Sequence, residues 1–158
     1  MKELYIIRHC QAEGQKPEAP LTSLGQEQAE RLATQLSAVP LDYIIASPYV
    51  RAIQTIEPLA TAKKLTIHTD ERLIERVLCG NNEPNWRDML KQTYDDMDLC
   101  YEGGESSQQA TLRVMAVVEE WKRSDHSCAA LISHGNLISL LLRAYDGRTG
   151  FHEWERLT

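Results

Sequence analysis

Short apolar runs alternate along this chain with longer stretches in which apolar residues recur every three or four positions. Leu4-Tyr5-Ile6-Ile7 and Cys128-Ala129-Ala130-Leu131-Ile132 are unbroken enough to read as strands buried on both faces, over 3–8 and 128–133. Tyr43-Ile44-Ile45-Ala46 predicts a short strand over 42–46, and residues 65–68 a weaker one. Between them the period changes. Ala29, Leu32, Ala33 and Leu36 fall at helical spacing after Thr22 or Ser23, either of which can cap, and Pro40 follows the end. Ser47-Pro48 reads as N-cap and first helical position of a helix striped by Ile53, Ile56, Leu59 and Ala60. Residues 85–97 predict a helix with Trp86, Met89, Leu90 and Met97 on one face. Gly103-Gly104 interrupts, and a long helix then runs to about 123 with Thr111, Val114, Met115, Val118 and Trp121 inward. Residues 136–145 close the pattern with a strongly apolar helix.

Strands alternating with helices imply an α/β fold, because each crossover helix lies on a face of a parallel sheet. The expected architecture is a three-layer α/β/α sandwich with a mostly parallel central sheet. It forms a single domain over 1–158, with a small helical insertion at about 76–104. Repeats and low-complexity segments are absent.

Composition narrows the function classes. The chain has 158 residues, 42% hydrophobic and 25% charged, with a formal net charge of −6. That balance argues against nucleic acid or an anionic membrane as partner, since both select basic surface. No apolar stretch approaches transmembrane length, and the N-terminus has no signal-peptide pattern. Cys10, Cys79, Cys100 and Cys128 are dispersed, so reduced thiols in a cytoplasm are expected.

The polar residues that close the strands suggest a chemistry. Arg8-His9 follows the first run and His134-Gly135 the last, and in open α/β sheets ligands bind beyond the carboxyl ends of the strands. A guanidinium at Arg8 matches two phosphate oxygens, and Ser47-Pro48-x-x-Arg51 aims a second one at the same edge. The helix beginning at Gly135-Asn136 would add free N–H groups. A neutral His9 could attack phosphorus, and a protonated His134 could stabilise the group in flight. Glu75 is the candidate proton donor, in competition with Glu71, Glu83 and Glu105. No H-E-x-x-H or cysteine pair offers a metal site, so neither metal nor cofactor is expected. His68, His126 and His152 are read as structural, Trp86 and Trp121 as core, and Asp95-Asp96-Met97-Asp98 as a solvated acidic end.

Taken in order, these segments resemble the histidine phosphatase superfamily, on the branch related to phosphoglycerate mutases. The family's R-H-G stands as Arg8-His9-Cys10, and its L-T-x-x-G-x-x-Q-A is complete from Leu21 to Ala29. Its S-P-x-x-R-A-x-Q-T is complete from Ser47 to Thr55. L-x-E is Leu73-Ile74-Glu75, G-G-E-S is Gly103 to Ser106, and S-H-G is Ser133-His134-Gly135. The resemblance implies a phosphoglycerate mutase-like fold and a metal-independent phosphatase acting on a small phosphorylated substrate. His9 would be the nucleophile and form a phosphohistidine. Arg8, Arg51 and His134 would form the phosphate pocket, Glu75 the acid–base, and Gly135, Gln15 and Thr22 would contact substrate. Mutases of the family carry longer insertions, so hydrolysis ranks ahead of mutase activity. The alternatives are a protein phosphohistidine phosphatase and a catalytically weak phosphate-ligand binding or regulatory protein.

Departures from the family pattern carry their own expectations. Cys10 replaces the usual Gly, and two readings stand: a thiol beside Arg8 in a positive pocket with a lowered pKa, or a side chain that fills the Gly position buried and inert. Gln15 stands where the family often has Asn. Cys79-Gly80-Asn81-Asn82-Glu83 replaces W-E-G. Relatives commonly continue beyond the position of Thr158, and the edge strands expected there would be missing from this sequence.

Overall fold

The two longest apolar runs become neighbours. In the computed structural model, which describes residues 2–147, 150 and 151, β1 (Glu3–Arg8) lies parallel to β4 (Cys128–Ser133), from Glu3 beside Cys128 to Arg8 beside Ser133. On its other side β4 pairs in parallel with β2 (Tyr43–Ala46), and β2 with β3 (Ile67–Thr69), giving the order β1-β4-β2-β3. All six residues of β4 are buried, as its unbroken apolar run predicts for a central strand.

The chain divides into two compact units, Met1–Ile74 with Glu119–His134 and Glu75–Val118 with Gly135–Thr158. The first holds the sheet, α1 (Ser23–Gln35) and α2 (Val50–Lys63). Ile44, Ala46, Ala130 and Ile132 from the strands pack with Ala52, Ile56, Leu59 and Ala60 of α2, and Leu32 and Ala33 of α1 and its C-cap residue Leu36 close over them. The second holds α3 (Trp86–Asp95), most of α4 (Ser107–Arg123) and α5 (Gly135–Tyr145). Among the described residues no helix is long and apolar enough to cross a membrane.

Local hydrogen bonds explain where the elements depart from the sequence pattern. Thr22 is the cap of α1, its hydroxyl accepting from Gly25 N–H at 3.0 Å. Helix α2 starts at Val50 instead of Pro48. Ser47 Oγ accepts from Tyr49 N–H at 3.2 Å, and Val50 N–H donates to Pro17 O at 3.0 Å, so the chain makes a turn before it coils. The third strand starts at Ile67, later than expected, because Leu65 N–H still donates to Ala60 O at the end of α2. α3 turns Leu90, Thr93 and Tyr94 inward, and Trp86, expected in the core, is 46% exposed. The inward polar pair is satisfied: Arg76 Nη1 donates to Thr93 Oγ1 and Asn136 Nδ2 to Tyr94 Oη. Trp121 is buried as expected. Helix α4 opens with a capping box: Gln109 N–H donates to Ser106 Oγ at 3.0 Å, and Ser106 N–H to Gln109 Oε1 at 2.8 Å.

Candidate active site

Three parallel strands end at one edge, and each delivers a polar residue. β1 ends in Arg8 and is followed by His9, whose N–H donates to Ser133 O at 3.0 Å and so extends the β1–β4 ladder by one step. β4 is followed by His134, and β2 by Ser47. The rings of His9 and His134 meet edge to face with centroids 5.1 Å apart. Arg51, at the second position of α2 and 1% exposed, donates from Nε to His9 Nε2 at 3.4 Å and from Nη1 to Lys16 O at 2.7 Å. Its guanidinium lies 5.0 Å from the centre of the Tyr49 ring, which in turn meets His134 edge to face at 5.0 Å.

These contacts assign the His9 tautomer. Nδ1 lies 2.7 Å from Cys10 O, a group that can only accept, so Nδ1 carries the proton. Nε2 then presents a lone pair on the side of Arg51. Burial lowers the His9 pKa to about 4, with the Arg51 and Arg8 charges in the same direction and the Cys10 carbonyl opposing. The ring is therefore neutral at pH 7, as a nitrogen nucleophile must be. His134 is fully buried, its Nε2 2.8 Å from Ser47 Oγ.

Cys10 follows the second of its two readings. Its thiol pKa is raised, because burial outweighs the hydrogen bond from Thr55. Adjacency to Arg8 in sequence suggested the opposite, but removal from water is the larger effect.

In the second unit, the Glu75 carboxylate receives three main-chain donors. Arg76 N–H reaches Oε1 at 2.8 Å, Leu137 N–H Oε1 at 2.9 Å and Asn136 N–H Oε2 at 3.1 Å. Glu75 thus occupies the N-terminus of α5, and the free donors expected there at Asn136 are already engaged. Gly135 is the first residue of that helix and is buried. Of the competing carboxylates, Glu105 is committed to Arg113 (Oε1 to Nε 3.0 Å, Oε2 to Nη2 2.8 Å) and accepts from Val77 N–H at 2.9 Å. Glu71 lies in a single helical turn over Glu71–Leu73 in the first unit.

The structure therefore brings Arg8, His9, Arg51 and His134 together. Gln15 is exposed in the loop whose next residue, Lys16, accepts from Arg51. The Thr22 hydroxyl caps α1 and donates to Gln11 Oε1 at 2.8 Å. His68 and His126 stack on Tyr43 with centroids 4.9 and 4.2 Å away, and Tyr43 begins β2, at the opposite end of that strand from Ser47; His152 lies outside the described residues. Among the described residues no group of three or more His, Cys, Asp or Glu side chains is placed to hold a metal ion.

Four residues at the site were not among the predicted site residues. Ser47 meets His134. Thr55 Oγ1 accepts from Cys10 N–H at 2.9 Å, Gln28 Oε1 from Gln11 N–H at 2.9 Å, and Gln54 Oε1 from Leu21 N–H at 2.8 Å. A signal for Thr55 was available. It shares the inward stripe of α2 with Arg51, Ala52, Ile56 and Leu59, where a polar residue needs a partner.

Comparison with known proteins bears on the family and the fold. A protein named probable phosphoglycerate mutase GpmB from Proteus mirabilis is 28% identical over 172 aligned positions, covering 97% of this chain and 79% of that protein. The solved structure of Bacillus stearothermophilus YhfR superposes with a TM-score of 0.79 at 26% identity, over 98% of this chain and 84% of that one. Mycobacterial glucosyl-3-phosphoglycerate phosphatase, solved with inorganic phosphate, superposes with a TM-score of 0.79 at 25% identity, over 98% and 83% of the two chains. These likenesses support the expected α/β class with its mostly parallel sheet. The profile of the histidine phosphatase superfamily, branch 1, matches residues 4–158, and the chain belongs to that superfamily.

Proposed function

We propose that the protein is a phosphoric monoester hydrolase that needs no metal and works through a phosphohistidine on His9. The observation that carries this reading is the His9 ring. It is neutral, its Nδ1 proton is tied to Cys10 O, and its Nε2 lone pair lies beside Arg51 at the ends of three parallel strands. A dianionic phosphoryl group would be met by the charge of Arg8 and Arg51 and by His134, so binding and transition-state stabilisation do not call for Mg²⁺. His9 Nε2 forms the N–P bond as the P–O ester bond breaks, and the leaving oxygen takes a proton from Glu75. Water then attacks phosphorus and gives its proton to Glu75. The N–P bond breaks, phosphate leaves, and His9 returns to its neutral form. The three main-chain donors favour the Glu75 carboxylate, and the negative charge of bound phosphate would oppose them in favour of the acid form needed in the first step.

The substrate on this reading is a small phosphorylated molecule, and the site acts in a cytoplasm. Residues 1–158 serve as one histidine phosphatase domain, since the superfamily profile spans both compact units. The Cys10 backbone supports an active enzyme over a weak binding protein. Its N–H and C=O are both engaged in holding the loop and the nucleophile, so the thiol has not displaced the turn.

The test is capture of the intermediate. Quenching the protein in acid-free denaturant during turnover of p-nitrophenyl phosphate should leave one phosphoryl group on His9 by peptide mass spectrometry. His9→Ala should lose at least about a thousandfold in rate, each tenfold step being about 1.4 kcal/mol of barrier. A folded His9→Ala protein with near-normal turnover would overturn the assignment. Interconversion of phosphoglycerates faster than their hydrolysis would instead favour the mutase named among the relatives.

A further inference from the structure

A neutral imidazole has two tautomers, and only one of them leaves Nε2 free to attack. Two contacts bear on the choice here: Cys10 O, 2.7 Å from His9 Nδ1, and the longer donation from Arg51 Nε to Nε2 at 3.4 Å. The peptide plane that carries the Cys10 carbonyl also carries the N–H of Gln11. That N–H donates to Gln28 Oε1 at 2.9 Å, from the second turn of α1. One planar group is therefore gripped at opposite edges, by the nucleophile on one side and by a helix side chain on the other.

From this geometry we infer that Gln28 is a positioning residue for His9, acting through the Cys10–Gln11 peptide. The peptide serves His9 as a carboxylate serves the histidine of a catalytic triad: it orients the ring and selects its tautomer. Gln28 contributes in two ways. It stops the plane from rotating about its flanking bonds, and by accepting from the N–H it polarises the carbonyl into a better acceptor for Nδ1–H. The neighbouring planes are anchored independently. Cys10 N–H is held by Thr55 Oγ1 at 2.9 Å, and Gln11 O by Thr22 N–H at 3.0 Å. Only the plane facing Nδ1 depends on Gln28. The inference rests on His9 being the nucleophile.

Gln28→Leu removes the acceptor at similar size, and Gln28→Glu restores an acceptor. In protein labelled with ¹⁵N at histidine, long-range ¹H–¹⁵N correlation at pH 7.5 reports which His9 nitrogen bears the proton. Wild type should show Nδ1–H. Gln28→Leu should show a mixture of tautomers, with kcat for p-nitrophenyl phosphate down by about 10–100-fold and KM unchanged, the loss typical of removing a group that orients a histidine. Gln28→Glu should return both readings to within a few-fold of wild type. If Gln28 only fastens the loop to α1, Gln28→Leu will lower Tm and leave a folded protein with an unchanged tautomer, which overturns the inference. Equal kcat loss in the Leu and Glu variants also overturns it. Gln28→Met, unbranched and of the same length, is the second variant if Gln28→Leu does not fold. The tautomer is read without substrate, so failure to trap phosphoryl on His9 would remove the nucleophile assignment without touching this measurement.

Discussion

The state of His9 has a thermodynamic signature apart from catalysis. Its pKa is about 4 in the folded protein, against an ordinary value of about 6.5 in the unfolded chain. Between those two values the unfolded state binds more protons, so stability rises with pH across the window. The His9 contribution is complete above 6.5 and is lost as pH falls from 6.5 towards 4. Wild type should therefore lose Tm more steeply than His9→Ala over that window, and parallel curves would show that the ring is not depressed. Cys10 makes the opposite case for reading charge from sequence alone. Its half-buried thiol has a raised pKa, so iodoacetamide at pH 8 should modify exposed Cys100 before Cys10; peptide mapping of the time course checks the order. The meeting of Arg8, His9, Arg51 and His134 at one edge of the sheet was legible because they close apolar runs or sit in ordered motifs. The shift at Cys10 was not, because desolvation depends on what packs around a residue and not on its neighbours in the chain.

Elements were legible where their apolar period was strong and obscure where polar side chains formed the inward face. β1, β4 and α5 follow their apolar runs closely. The start of α2 was misjudged because Ser47, an apt cap by type, instead meets His134 and Tyr49 N–H, and only the fold brings His134 there. The inward face of α3 was misjudged because Thr93 and Tyr94 are buried with polar partners while Trp86 is exposed. In α1, Gly25 shows how one element shapes a neighbouring loop. A Cβ at this position would collide with the main-chain oxygen of Gln11, which is backbone and cannot swing aside. Gly25→Ala should cost about 1–3 kcal/mol, as overpacking does, and should shift the amide signals of residues 10–12. Denaturant unfolding and amide spectra test both parts; an unperturbed loop would mean α1 can slide without consequence. Thr22, one turn away, adds the cap, worth about 1 kcal/mol in such helices.

At the scale of the whole molecule, the charge that would face phosphate in the proposed function belongs to a chain that is acidic overall. The formal net charge is −6, yet Arg8 and Arg51 lie beside His9 at the strand ends. Activity should accordingly survive exhaustive chelation, measured on p-nitrophenyl phosphate after dialysis against EDTA; loss with recovery on adding a divalent cation would overturn the proposed site. The same molecule carries a constraint on its own manufacture. β4 lies between β1 and β2 although it is the last of the described strands to be made. A nascent chain that has reached residue 120 already contains three strands, yet β1 still has no neighbour in the described sheet and β2 has one open side. Such a chain displays unpaired apolar edges, the surface from which strands of separate molecules associate. The ribosome must therefore deliver residues 128–133 before the site can exist, and products interrupted earlier are candidates for chaperone capture or aggregation rather than for partial function.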